Sequence, residues 1–146
     1  MNSKEKRIGF VGVGRMGANM ARNLKDKGYT ISCVNDVNKD AASSLAEELG
    51  CAHAGTLAEV TSQSDIVLTV VTNDAAMESI FFGADDNLFQ NASDTLFINC
   101  ATLSPAMHVR CVGCLQYMGL SSRAHQVGKS TCHFCRSFAN RLCKGL

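Results

Sequence analysis

The sequence predicts an α/β fold, a parallel β-sheet with helices on both faces. Three observations predict it. Short apolar or β-branched runs alternate with helical spacing at least four times before position 110, the order expected of strands joined by crossover helices. The run "DIVLTVV" at 65–71 is almost wholly apolar, as a strand is when both faces are covered. Glycines at 12, 14 and 17 separate an apolar run from a helical pattern, where a strand would turn into a helix.

Taken in order, residues 7–11 read as a short buried strand. Met16, Met20 and Leu24 then recur at i, i+4 and i+8, the spacing of a helix face. Lys25 and Lys27 put cations at the negative end of that helix, and Gly28 terminates it. Residues 30–34 form a β-branched second strand. Residues 39–49 are helical, with Ala42, Leu45, Ala46 and Leu49 on one face and Gly50 as the stop. A short strand at 52–54 and a short helix at 56–61 follow. Residues 65–71 are a strand, 75–82 a helix and 95–99 another strand. Ser104 as cap and Pro105 in the first turn open a further helix. No internal repeat is present, and 119–128 reads as loop.

Composition fits a globular domain. The 146 residues are 46% hydrophobic and 18% charged, with one proline, enough for a packed core. No apolar run approaches the roughly 20 residues of a membrane span. The opening "MNSKEKR" is charged, but the apolar stretch after it is short and ends at Arg15. No signal peptide is read there, and a cytoplasmic location is the expectation.

Net charge is +1, but it is split: residues 1–94 hold eight Lys and Arg against thirteen acids, whereas 95–146 hold six Lys and Arg and no acid. Cys33, Cys51 and Cys100 are scattered, whereas Cys111, Cys114, Cys132, Cys135 and Cys143 crowd into the stretch after position 110. The chain therefore divides into a domain at 1–110 and a basic, cysteine-rich, irregular tail at 111–146. The sheet is expected to be incomplete at its C-terminal end.

The string Gly12-Val13-Gly14-Arg15-Met16-Gly17 fits G-x-G-x-x-G. The first glycine allows a tight turn, the second lets a pyrophosphate approach the backbone, and the third lets helix and sheet pack closely. The helix N-terminus then faces the anion. Glycine-rich turns are common, so the motif gains weight only from its context. It follows a strand, opens a helix, and precedes Asp36 at the end of the second strand. The step from Gly17 to Asp36 is close to the spacing of an acid that binds ribose hydroxyls. A Rossmann-type dinucleotide-binding domain is expected, with Asn35 beside Asp36 at the ribose. A 2′-phosphate beside this carboxylate would be repelled by roughly 1–4 kcal/mol. Val37 follows Asp36, and Lys39 is the only nearby cation, so NAD is expected ahead of NADP.

The stretch "GFVGVGRMGANMARNLKDKGYTISCVND" resembles the N-terminal domain of the β-hydroxyacid dehydrogenases, a group that includes 3-hydroxyisobutyrate dehydrogenase. "SDIVLTVVTNDAAMESIFFG" and "INCATLSP" extend the likeness over about residues 6–109. The resemblance implies NAD(P)-dependent oxidation of a small β-hydroxy acid, or the reverse reduction. It places Val71 and Thr72 along the cofactor and Thr102 near the nicotinamide. Two departures stand out. Ala76 occupies a position where many members have asparagine, and Cys100-Ala101 replace an Asp/Ser pair.

The family's base is a lysine in Lys-x-x-Asn-Asn. Lys129 is instead followed by Cys132 and His133, and Lys144 is two residues from the end. No catalytic residue is therefore assigned. The chain as given is expected to bind NAD weakly without turning over. A β-hydroxy acid substrate is expected only of a full-length relative.

Two readings of the tail stand side by side. One is a truncation or a slip of reading frame: the family's Asp-Gly-Pro-Val, read one base later, can give the Met-Gly-Leu-Ser found at 118–121. The other is a zinc site of Cys111, Cys114, Cys132 and Cys135, whose two C-x-x-C pairs are separated by positions 115–131, a gap within the range of zinc modules. A basic zinc module could bind nucleic acid. Outside that reading, neither nucleic acid nor membrane is an expected partner.

Overall fold

The computed structural model describes residues 3–117. A 3-10 turn at Ser3–Glu5, not anticipated from the sequence, precedes β1 (Arg7–Val11) and α1 (Arg15–Asp26). Then come β2 (Thr30–Asn35), α2 (Lys39–Leu49), β3 (Ala52–His53), α3 (Leu57–Ser62) and β4 (Ile66–Thr69). The described part ends with α4 (Asp74–Phe82), β5 (Leu96–Asn99) and α5 (Pro105–Tyr117). All five strands are parallel, in the order β3-β2-β1-β4-β5. This is the Rossmann-type α/β sheet that the alternation predicts.

Strand alternation divides the core in two. Ile8 and Phe10 of β1 join Ala21 and Leu24 of α1 and Leu45 and Leu49 of α2 in one buried cluster. Val11 joins Val60 of α3 and Met77, Ile80 and Phe81 of α4 in the other. A register shift between β1 and β2 at Ile8/Gly9 turns Cys33 to the opposite cluster from Ile31. The connection from α4 to β5 is packed rather than loose. Leu88 is fully buried, and the Phe89 ring lies 5.1 Å from Phe81. Each such apolar side chain contributes roughly 1.5–3 kcal/mol when fully buried.

Element ends shift where a side chain competes for the backbone. The helix expected at 56–61 begins at Leu57 because Thr56 stands outside as its cap. The Thr56 hydroxyl accepts the Glu59 amide at 3.2 Å, and the Glu59 carboxylate accepts the Thr56 amide at 3.3 Å, a capping box. The strand expected at 65–71 narrows to Ile66–Thr69. Asp65, whose backbone still bonds to Arg7 and Leu96, also uses its carboxylate to accept the Arg7 amide at 2.8 Å and the Arg7 guanidinium at 3.0 Å. Those bonds hold the Asp65 carboxyl below its usual range. The helix opened by Ser104 and Pro105 runs on past position 110 to Tyr117.

Asp86 supplies a second cap to α3 from a distant loop. Its carboxylate accepts the amides of Leu57 at 2.7 Å and Ala58 at 2.9 Å, placing negative charge at the positive end of the helix. Asp86→Ala should lower unfolding free energy by about 1–2 kcal/mol, measured by urea denaturation. A loss no larger than that of an exposed alanine substitution would contradict this role.

Candidate functional site

Parallel strands gather their carboxyl ends at one edge of the sheet. Asn35, Val11, Thr69 and Asn99 lie in register across four strands there. The chain crosses between β1 and β4, where the strand order reverses; open α/β sheets bind ligands at such switch points. Every sequence-predicted cofactor residue falls in a segment that ends or follows one of these strands. The sheet brings Gly12–Gly17, Asn35–Asp36, Val71–Thr72 and Thr102 to this edge.

The three glycines differ in what surrounds them. Gly12 has φ +91°, and a Cβ there would lie 2.3 Å from the Val70 carbonyl oxygen. A Cβ on Gly17 would lie 2.0 Å from the Gly12 carbonyl oxygen. Both are required by the chain's own packing. A Cβ on Gly14 would meet nothing within 4 Å, so its exposed backbone faces open space.

The turn is tied to the end of β2. The Gly12 amide donates to the Asn35 carbonyl at 2.9 Å, and the Val13 amide donates to Asp36 Oδ2 at 2.7 Å. Asp36 Oδ1 accepts the Asn38 amide at 2.8 Å. The Asn35 side chain turns away, donating to the Ala54 carbonyl at 2.9 Å. Arg15 and Met16 are exposed at the start of α1. This helix has no side-chain cap, whereas Asn38, Thr56, Asn73 and Ser104 cap the other four. Its first amides therefore present partial positive charge to the edge.

At the other end, Val71 packs on the second core cluster, while Thr72 and Thr102 are exposed. Asp74 Oδ1 accepts the Ser104 amide at 2.9 Å, bridging the segments that carry these threonines. Ser104 holds the Asp74 carboxyl below its ordinary range. Asn99 Oδ1 accepts the Ala101 amide at 2.8 Å and bends the chain after β5. Asp74 and Asn99 are absent from the sequence-derived set of site residues. Asp74 reads locally as an ordinary first-turn acid, and nothing near it in the chain points to a partner as distant as Ser104.

Among the described residues, no group of three or more His, Cys, Asp or Glu is placed to hold a metal ion. Cys111 is half-buried against the second core cluster, its Sγ 3.9 Å from Met107 Sδ. Burial, followed by neighbouring Cys114, pushes its thiol up to about 11, and zinc binds the thiolate. Cys132 and Cys135, the other half of the expected zinc set, lie outside the described residues. So do Lys129, Lys144 and the string at 118–121. No described helix is long and apolar enough to cross a membrane.

The family model for the NAD binding domain of 6-phosphogluconate dehydrogenase matches residues 7–123. Mitochondrial 3-hydroxyisobutyrate dehydrogenase of Drosophila melanogaster is 39% identical over 101 residues, covering 68% of this chain and 30% of the relative. The 3-sulfolactaldehyde reductase of Escherichia coli (strain K12) is 27% identical over 124 residues, covering 85% and 41%. The chain thus spans between about a third and two fifths of the length of these curated relatives. The solved structure of Mycobacterium tuberculosis 3-hydroxyisobutyrate dehydrogenase with L-serine superposes with TM-score 0.70 at 26% identity, covering 81% of this chain and 39% of that one. An imine reductase variant from Myxococcus stipitatus, in complex with NAD+, shares the fold with TM-score 0.71 at 22% identity, covering 81% and 39%.

The glycine geometry separates folding from ligand approach. Gly12→Ala should cost about 1–3 kcal/mol in urea denaturation from backbone strain alone. Gly14→Ala should cost less than about 1 kcal/mol. Equal losses would contradict the assignment. Cys111 should also resist alkylation at pH 8, because its thiolate is scarce below a pKa of about 11; peptide mass spectrometry after iodoacetamide treatment reads this directly.

Proposed function

The chain belongs to the family of the NAD binding domain of 6-phosphogluconate dehydrogenase, and from that premise we propose that residues 1–110 bind NAD at the carboxyl edge of the sheet. We assign them the role of the dinucleotide-binding part of an oxidoreductase acting on the CH–OH group of a small β-hydroxy acid. In this reading residues 111–117 go with the domain, because α5 crosses the boundary expected at 110 and Cys111 packs on the second core cluster.

The observation that carries the proposal is the state of the β1–α1 turn. Gly14 faces open space, α1 has no side-chain cap, and a carboxylate stands 2.7 Å from the Val13 amide. A diphosphate fits the first two features, since uncapped amides at a helix N-terminus attract anions. Gly12, Val13, Gly14, Arg15, Met16 and Gly17 would hold it. Asp36 would accept the ribose hydroxyls, and Asn35 would support it by fixing the turn through its backbone carbonyl. An ionised carboxylate has about four lone-pair sites, so two backbone amides leave capacity for a sugar. Val71, Thr72 and Thr102 would lie along the nicotinamide half. When bound, NAD supplies the hydride acceptor.

The activities named for the relatives support the reaction class. The substrate-side chemistry has no group assigned to it in this chain. The 146 residues contain no Lys-x-x-Asn-Asn string, and a base must come within hydrogen-bond reach of the reacting hydroxyl. A polypeptide of this sequence should therefore bind without turnover.

Isothermal titration calorimetry tests binding. NAD should bind at least about fivefold more tightly than NADP, given the repulsion of roughly 1–4 kcal/mol expected between Asp36 and a 2′-phosphate. Gly14→Ala should weaken NAD binding while leaving stability nearly intact. Absence of heat with saturating NAD would overturn the proposal. Formation of NADH from NAD and 3-hydroxyisobutyrate would overturn its no-turnover component.

A further inference from the structure

The β4–α4 and β5–α5 segments are joined by a contact that the dinucleotide reading above does not use. Asp74 is the first residue of α4 and lies two positions after Thr72. Ser104 caps α5 and lies two positions after Thr102. A carboxylate at the start of a helix usually serves its own helix. Here that place is taken: the Asn73 side chain accepts the Ala76 amide at 2.9 Å. Asp74 Oδ1 instead crosses to the Ser104 amide at 2.9 Å. The charged form is the one that bonds, since Ser104 lowers the Asp74 carboxyl.

Each segment is also anchored at its strand end. The Val70 amide donates to the Val11 carbonyl at 2.8 Å, and the Ala101 amide donates to Asn99 at 2.8 Å. Farther along, Arg110 pairs with Glu78 and lies over the Phe82 ring at 4.2 Å, holding α5 against α4. Thr72 and Thr102 therefore each sit between a strand-end bond and the Asp74–Ser104 bond. That bond spans the gap between the two segments close to the edge where the threonines stand.

We propose that Asp74 is a positioning residue: its bond to Ser104 sets the separation of Thr72 and Thr102 for the nicotinamide ring of the dinucleotide. This rests on the dinucleotide reading above. The adenosine and diphosphate half is held elsewhere, by the β1–α1 turn and Asp36. Loss of the bond should then weaken the hold on the nicotinamide and spare the rest of the ligand.

Calorimetry with two probes tests this on the whole chain. ADP-ribose carries the adenosine, diphosphate and second ribose but lacks the nicotinamide. In the parent chain NAD should bind more tightly than ADP-ribose. Asp74→Ala should weaken NAD about fivefold, the scale of one hydrogen bond, and leave ADP-ribose within twofold. Asp74→Asn keeps an acceptor oxygen and should restore most of the NAD affinity. Asp74→Ser, a milder change at a helix start, should repeat the alanine result if the alanine variant fails to fold. Equal weakening of both probes would make the contact merely structural and overturn the proposal. So would unchanged NAD affinity, or equal affinity of the parent chain for the two probes. If the parent chain binds neither probe, the dinucleotide reading fails first and takes this proposal with it.

Discussion

The hydrogen bond from the Val13 amide to the Asp36 carboxylate, 2.7 Å long, ties the first turn of the domain to the end of its second strand. It fixes where β1 stops and where α1 starts. The backbone bond from Gly12 to Asn35 runs beside it, and Gly12 is wedged under the Val70 carbonyl. Three strands therefore define the position of one short turn. An anionic oxygen beside an uncapped helix start is electrostatically favourable. The same arrangement keeps Gly14 turned outward, where no protein atom would crowd a Cβ.

The two cores supply the rigidity behind this edge. Ile8 and Phe10 are buried on one face of β1, Val11 on the other. The central strand cannot slip by one residue without exchanging those faces. Helices α2 to α5 each begin with a side-chain cap, so their starting positions are sharply set. Only α1, among the helices described, begins without one. Its first amides have no side-chain acceptor at the cap position, which is the physical basis of the proposed diphosphate site.

Much of this was legible from local pattern. Apolar periodicity and clear glycine stops coincide at 7–11 and 39–49, and there the bounds expected from sequence match those of β1 and α2. The G-x-G-x-x-G string and the acid at position 36 pointed to the carboxyl edge, and the fold brings them within hydrogen-bond distance. Long-range polar contacts were not legible. Asp74 to Ser104, Asp86 to the start of α3, and Asn35 to Ala54 join segments far apart in the chain. Periodicity reports which face a residue occupies, not which distant amide its oxygen will meet. Cys111 and Cys114 read as half of a zinc signature, yet i, i+3 spacing on one helix also puts a thiol into a core. Cys111 packs against the second core cluster in that way.

The central claim is that a dinucleotide is held at the β1–α1 turn with Asp36 beside it. The most direct measurement is the amide chemical-shift map of the isotope-labelled chain titrated with NAD. The largest shifts are expected at Val13, Gly14, Arg15, Met16, Gly17 and Asp36, with little change at Leu45–Gly50 at the far end of α2. Shifts confined to residues away from the carboxyl edge, or none at saturating NAD, would contradict it.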